Sequence, residues 1–215
     1  MRDLNLVTII IIAANTIISF KGFNDRSFFE KYKFNIGDIK RGRQFQIFTS
    51  GFLHVDISHL VVNMLTLYFF ANVVLYSLGS TGFIAVYIAS LILGNLLSFY
   101  FHKDEYNYSA VGASGAVMGV LYSAILLQPN MMLGLFFIIP IPAYIFGIGY
   151  LLYTIYGMKR RLGNIGHDAH FGGAVGGYVI TLMLAPALFE VHLLMVILLA
   201  IPIVVLFFLQ KAGKL

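Results

Sequence analysis

The 215-residue chain is 60 % hydrophobic and only 11 % charged, with a mean hydropathy of +0.88 and a net charge of +5. A soluble core of this size has no use for so much apolar surface, so the composition excludes a soluble globular domain and implies repeated bilayer crossings of about 20 residues each. The absence of cysteine excludes disulfides, thiolate metal ligands and a cysteine nucleophile, and exposed Lys and Arg find their natural partner in lipid headgroups, not nucleic acid.

Seven apolar segments follow one another, at residues 4–20, 57–78, 82–101, 113–128, 143–157, 169–187 and 191–209. The first follows only Met1, Arg2 and Asp3 and lacks a small-residue cleavage site, so it reads as a retained helix and not a signal peptide. The piece after it, 21–56, carries seven Lys/Arg and four acids mixed with Phe23, Phe28, Phe29, Tyr32, Phe34, Phe45 and Phe48. Cations among aromatics suit a segment lying in the membrane interface; an ordinary solvated loop is the alternative. Its length is enough for a function of its own.

Helix two begins in "GFLHVDISHLVVN", residues 51–63, with His54, His59 and Asn63. His59 and Asn63 are four apart and share a helix face. After breaks at 78–82 and 102–108, helix four opens in "VGASGAVMGV", residues 111–120, around Ser114. Counted from Ser114 to Leu127 it is about 21 Å long, short of a ~30 Å hydrocarbon core, so Ser114 can sit at a sunken N-terminus. Residues 131–142 end in Pro140-Ile141-Pro142, which bars a helix and predicts a connector packed against protein before helix five. Helix six opens in "GHDAHFGGAVGGYV", residues 166–179, with His167 and His170.

Alternation of the spans puts 13 of the 14 Lys/Arg on one face, leaving only Arg2 opposite; the positive-inside rule makes that cationic face cytoplasmic. Ser114 and His170 open their helices at one same face. Gly115 with Gly119, and Gly173 with Gly177, form small-xxx-small pairs that allow close helix approach, so helices four and six are expected to bring Ser114 opposite His170. Imidazole suits the removal of a serine proton near neutral pH. Free N–H groups near Gly112 to Gly115, with His59 and Asn63, are candidate donors to a tetrahedral oxyanion.

Plain readings stand beside this one. Ser114 is compatible with simple small-residue packing, and His59 and Asn63 with interhelical hydrogen bonding. Asp168 reads as a loop residue or cap more than as a third triad member, and His102, His167 and His192 lie at loop edges. "GASGA" lacks the last glycine of the G-x-S-x-G elbow. Three function classes remain: a serine hydrolase; a small transporter or channel lined by His59, Asn63 and His170; and a metal enzyme using His54, His59, His167 and His170. The last lacks an H-E-x-x-H or carboxylate-bearing signature.

Taken together and in order, "GRQFQIFTSGFLHVDISHLVVNM", "GASG", "FFIIPIPA" and "AHFGGAVGG" resemble the rhomboid family of intramembrane serine proteases, over roughly residues 40–185. The resemblance implies an all-α polytopic membrane protein: a rhomboid-like six-helix core over 1–188, including the interfacial loop 21–56, plus an additional transmembrane helix in 189–215. It implies Ser114 as nucleophile and His170 as general base. His59 and Asn63 would be oxyanion donors, joined by the Ser114 N–H. Arg43, His54, Gly112, Gly115, Gly173 and Gly177 would give structural support. No metal or cofactor is implied. Partners would be single-span membrane protein substrates entering near helices two and five, and the lipid bilayer, with no nucleic acid and an oligomeric state left open.

The chain departs from the family pattern at Gly42 before Arg43, at Ala71 and Leu75, where Gly and Glu are common, and at Met118, where some members carry an aromatic that stacks on the histidine. None removes a catalytic group. The resemblance also implies a bacterial plasma membrane, a cytoplasmic N-terminus and a site opening outward. That orientation opposes the Lys/Arg bias, but a first loop buried in the interface is not a simple translocated loop, so the resemblance takes precedence.

Overall fold

The computed structural model describes residues 5–135, 139–163 and 165–215; expectations that fall on residues 1–4, Arg2 among them, and on 136–138 lie outside the described residues. Helix α1 (Leu6–Asn24) is capped by Asn5, whose Oδ1 accepts the Val7 N–H at 2.9 Å. Its polarity is inside out. Thr8, Asn15, Ser19 and Gly22 are buried while Leu6, Ile9, Ile10, Ile17 and Phe20 are exposed. Apolar outside with small and polar inside is the arrangement a lipid-facing helix requires.

The stretch after α1 is folded. It holds α2 (Arg26–Tyr32), the two-residue strand β1 (Phe34–Asn35), α3 (Ile36–Lys40), α4 (Gln46–Thr49) and a 3₁₀ turn over Ser50–Phe52. Phe34, Ile36 and Ile39 form a small core of their own against Phe99 and Tyr108. Buried Gln46 ties the pieces together. Its Oε1 accepts the Asn35 N–H at 3.2 Å, and its Nε2 donates to Lys31 O at 3.1 Å and Asp38 Oδ2 at 3.2 Å. Strand β1 pairs antiparallel with β2 (Ser109–Ala110), Phe34 opposite Ala110. The whole loop is thereby fastened to the segment that leads into Ser114.

Helix α5 (Ile57–His102) contains both the second and third expected segments. The expected break shrinks to one residue, Gly79, at φ 68° and ψ 178°, a conformation that costs glycine least. Helix α6 (Ser114–Leu127) has 14 residues and is buried along nearly its whole circumference, so it is the axis around which the other helices pack. On one side Leu67, Val74, Phe83, Val86, Tyr87 and Leu91 of α5 meet Ala116, Val117 and Val120. On the other, Leu121, Tyr122 and Ile125 meet Leu151, Phe171 and Leu199 from the later helices.

The connector before the next helix differs from expectation. Residues 131–142 contain the antiparallel pair β3 (Met132–Leu135) and β4 (Ile139–Pro142), in register Met132 to Pro142, and Met132 and Ile139 are more than half exposed. The prolines exclude helix, but an edge strand needs no N–H on its outer side. Helix α7 (Ala143–Arg160) starts directly after Pro142, as expected, and ends three residues later than expected at a left-handed Arg161, φ 51°. Then come α8 (His167–Leu184), the short α9 (Leu188–Val191) and α10 (Leu193–Lys211). Val196, Leu199 and Leu206 of α10 are buried in the cluster of α6 and α7, and Tyr178 of α8 donates to Val196 O at 2.9 Å.

Helices α1, α5 and α10 are long and apolar enough to cross a bilayer, and α6 is a shorter apolar helix. The chain is a predominantly helical integral membrane protein.

Candidate active site

Ser114 is the first residue of α6, where helix N–H groups have no intrahelical acceptor. The two N–H groups just before it are already used. Gly112 N–H donates to Ser50 O at 3.1 Å, and Ala113 N–H points at His54 Nε2 at 3.5 Å. The expectation that donors could come from Gly112 onward is therefore narrowed to Ser114, Gly115 and Ala116.

The His54 ring is buried between α1 and this turn. With Nε2 accepting from Ala113, the Nδ1–H donates to Ser19 Oγ at 2.8 Å, and the Ser19 hydroxyl donates to Phe52 O at 3.1 Å; the tautomer follows from this network. Burial, with His59 alongside, holds the His54 imidazole down to about 3, keeping it neutral as the relay requires.

Gly112 has φ +138°, a conformation side chains rarely adopt. A methyl there would lie 2.7 Å from His59 Cε1, 2.9 Å from His59 Nε2 and 3.6 Å from Ser114 Oγ. The missing methyl is thus what lets the His59 imidazole edge and the serine hydroxyl share one side of the turn. Asp56 caps α5, its Oδ1 accepting the His59 backbone N–H at 2.7 Å. The His59 ring stands edge-on to His54, centroids 4.9 Å apart, and its Nδ1 is buried with no partner among the described residues. Asn63 Nδ2 donates one hydrogen to His59 O at 3.1 Å, which orients the amide and leaves its second hydrogen free.

His170 lies in the first turn of α8, and glycine decides how close that helix comes. A methyl on Gly173 would fall on the Gly115 carbonyl, and one on Gly177 on the Gly119 carbonyl. The two small-residue pairs therefore face each other. A methyl on Gly115 would lie 3.2 Å from Ala169 O, so the neighbours of Ser114 and His170 touch through backbone. The third helix at this junction is α5. A methyl on Gly94 would lie 2.6 Å from Ala169 O, and one on Gly172 2.7 Å from Leu93 O. Gly94 belongs to no motif, and nothing in its local sequence marks it.

Among the described residues no hydrogen bond joins Ser114 to His170. The His170 Nδ1 is bonded instead to the Tyr150 hydroxyl of α7, at 2.7 Å. Tyr150 was not legible in the sequence, because the family pattern puts an aromatic partner for the histidine at position 118, and Met118 there packs among the apolar side chains flanking α6. Asp168 is buried at the start of α8 and turns away from the site, its Oδ2 3.3 Å from His102 Nε2. His102 also meets Glu105 at 3.0 Å and stacks on Tyr108 with centroids 3.6 Å apart. His167 Nε2 lies 3.1 Å from Leu162 O, and no group of three or more His, Asp or Glu among the described residues is placed to hold a metal.

Arg43 lies apart from the serine. Its Nη1 meets Asp38 Oδ2 at 3.1 Å, while Arg41 meets Oδ1 at 2.6 Å, closing the α3–α4 turn. Ala71 and Leu75 are buried in the apolar cluster of α5, which fills with packing what a Gly and a Glu would occupy.

A helical membrane bundle with a serine, two histidines and an asparagine gathered at one end of a buried helix defines a polytopic membrane protein with a polar cluster inside its bundle. The Rhomboid domain profile matches residues 41–187, more than half of the chain, and the chain belongs to the rhomboid family. It is 30 % identical over 190 residues to RHOMBOID-like protein 12, mitochondrial, of Arabidopsis thaliana, covering 81 % of this chain and 56 % of that protein. It is 32 % identical over 136 residues to Rhomboid protein 1, mitochondrial, of Saccharomyces cerevisiae, covering 61 % and 39 %. It is 31 % identical over 140 residues to Rhomboid protease GluP of Bacillus subtilis, covering 65 % and 26 %. The chain thus spans little more than half, or less, of these relatives' lengths. Mitochondrial names among them leave the expectation of a bacterial-type protein in a bacterial inner membrane without support.

Proposed function

We propose that this chain is an intramembrane serine endopeptidase that cleaves transmembrane segments with Ser114 as nucleophile and His170 as general base. The observation that carries the reading is the glycine-against-carbonyl packing of α6 on α8, which leaves the backbone beside Ser114 in contact with that beside His170. The Ser114 hydroxyl hydrogen passes to His170 Nε2 as Oγ attacks the scissile carbonyl carbon. The resulting oxyanion takes hydrogen bonds from the Ser114 N–H, from Asn63 Nδ2 and from His59 Nε2–H. The imidazolium then protonates the leaving amide nitrogen as the C–N bond breaks, and water hydrolyses the acyl-enzyme by the same steps in reverse roles.

The substrates in this reading are single-span membrane proteins. Residues 1–188 form the catalytic unit, with the folded segment 21–56 at the interface, and 189–215 adds one helix. The N-terminus is cytoplasmic and the site opens outward. Impermeant labelling of Lys31→Cys and Ser80→Cys tests the orientation; protection of residue 31 with reaction of residue 80 would reverse it. Activity is tested by fluorophosphonate labelling and by cleavage of a panel of transmembrane substrates in proteoliposomes. Both are expected in wild type and absent in Ser114→Ala and His170→Ala. A folded wild type with neither activity would overturn the reading and favour a polar transport path past His59, Asn63 and His170.

A further inference from the structure

His170 has two ring nitrogens, and only one can serve Ser114. For Nε2 to accept the serine proton, the neutral ring must carry its hydrogen on Nδ1. That hydrogen needs an acceptor beside the ring. Carboxylates do not supply one, since Asp168 faces His102 from the start of α8. The atom bonded to Nδ1 is the Tyr150 hydroxyl oxygen, at 2.7 Å, with the two rings within 26° of parallel.

We infer that Tyr150 is the positioning residue of the base: its phenol oxygen accepts the His170 Nδ1–H, selecting the tautomer in which Nε2 is free for Ser114. This rests on the Ser114–His170 reading and goes beyond it. The proton on Nδ1 does not move during the reaction. Nε2 gains the Ser114 proton as the Oγ–C bond forms and passes it to the leaving nitrogen as C–N breaks. The imidazolium in between donates through Nδ1 to a neutral oxygen.

Tyr150 belongs to α7 and His170 to α8, so the orientation of the base depends on how α7 is seated. Three further contacts seat it: the Tyr122 hydroxyl of α6 donates to Gly147 O at 3.3 Å, Tyr153 stands edge-on to His167 at 5.4 Å, and Arg161 meets Glu105 at 3.3 Å.

The test uses the full chain in micelles or proteoliposomes with ¹⁵N-imidazole-labelled histidine, the His170 signals being assigned by their loss in His170→Gln. Wild type is expected to carry the Nδ1–H, Nε2-bare signature at neutral pH. Tyr150→Phe keeps the ring and removes the oxygen. It is expected to give mixed tautomers, with kcat down about tenfold, the equivalent of one neutral hydrogen bond, and KM within about twofold. Tyr153→Phe serves as the control, with both readouts unchanged. A wild-type His170 protonated on Nε2, or a Tyr150→Phe variant with wild-type kcat and tautomer, overturns the inference. The wild-type spectrum decides even if the variant fails to fold. Failure of the Ser114–His170 reading is separately visible, as fluorophosphonate labelling that survives His170→Ala.

Discussion

Gly94 is a position where a single methyl should damage the site from outside it. A Cβ added there would stand 2.6 Å from the Ala169 carbonyl oxygen, whereas ordinary contact begins near 3.4 Å. Helix α8 must therefore retreat from α5 by about 0.8 Å, because both partners are backbone and neither can rotate away. Ala169 directly precedes His170, so the proposed base moves with it. A displacement of order 1 Å costs on the order of 10²-fold in rate, and we expect Gly94→Ala to lose about 10- to 100-fold in substrate cleavage and in fluorophosphonate labelling. Stability is the weaker readout. Overpacking costs about 1–3 kcal/mol, while replacing a helical glycine by alanine returns about 1 kcal/mol. The melting temperature should then fall by no more than roughly 8 °C, at about 2–4 °C per kcal/mol. The comparison variant is Gly149→Ala on α7, where no atom beyond the adjoining residues and backbone of its own helix lies within 4 Å of the added methyl; it should keep wild-type rates and equal or higher stability. A folded Gly94→Ala protein that labels and cleaves at the wild-type rate would refute the argument that glycine contacts between α5 and α8 set the position of His170.

Other sites give further expectations. Gly112→Ala strains a φ of +138° and displaces the His59 ring, so kcat should fall on the order of 10²- to 10³-fold, as for loss of an oxyanion donor; kcat within threefold of wild type would remove His59 from that role. The Arg41 guanidinium, with Gln46 and Arg43, holds the Asp38 carboxyl below its ordinary 3.8. The folded group is the more acidic one, so its contribution is present above that value and fades as pH falls through the lower folded one. Pepsin nicking of the 21–56 segment should rise in that window, and Asp38→Asn should be nicked readily already above it. Thr181→Val removes a buried 2.6 Å hydrogen bond to Ser123 Oγ between α8 and α6 and should cost roughly 0.6–1.7 kcal/mol, part of it recovered in the double variant with Ser123→Ala.

Much of the fold was legible because membrane spans announce themselves by length and apolarity. The seven expected segments correspond to α1, the two arms of α5 on either side of Gly79, and α6, α7, α8 and α10. The pairing of β3 with β4 was not legible, since two prolines say only that a helix is barred. The segment 21–56 hid its order for another reason. Its helices are four to seven residues long, too short for periodicity to register, and they are held by Gln46 and by pairing of Phe34 with Ala110, far apart in sequence. At the site, the facing of Gly115 and Gly119 by Gly173 and Gly177 was readable from their spacing. The Ser19–His54 and Tyr150–His170 bonds were not, because each joins different helices.

By itself the sequence determined that this chain lives in a bilayer and where its long apolar helices run. Those properties follow from the local cost of placing polar groups and unpaired backbone in hydrocarbon. The tertiary structure alone decided which hydrogen-bonding groups are already spent and which are free. Gly112 and Ala113 give their N–H groups to Ser50 and His54, Asp168 turns to His102, and Tyr150 takes the Nδ1 of His170. A hydrogen bond between helices depends on their rotation and relative height to within a fraction of an ångström. Here glycines on three helices set that register, through contacts that no stretch of sequence contains.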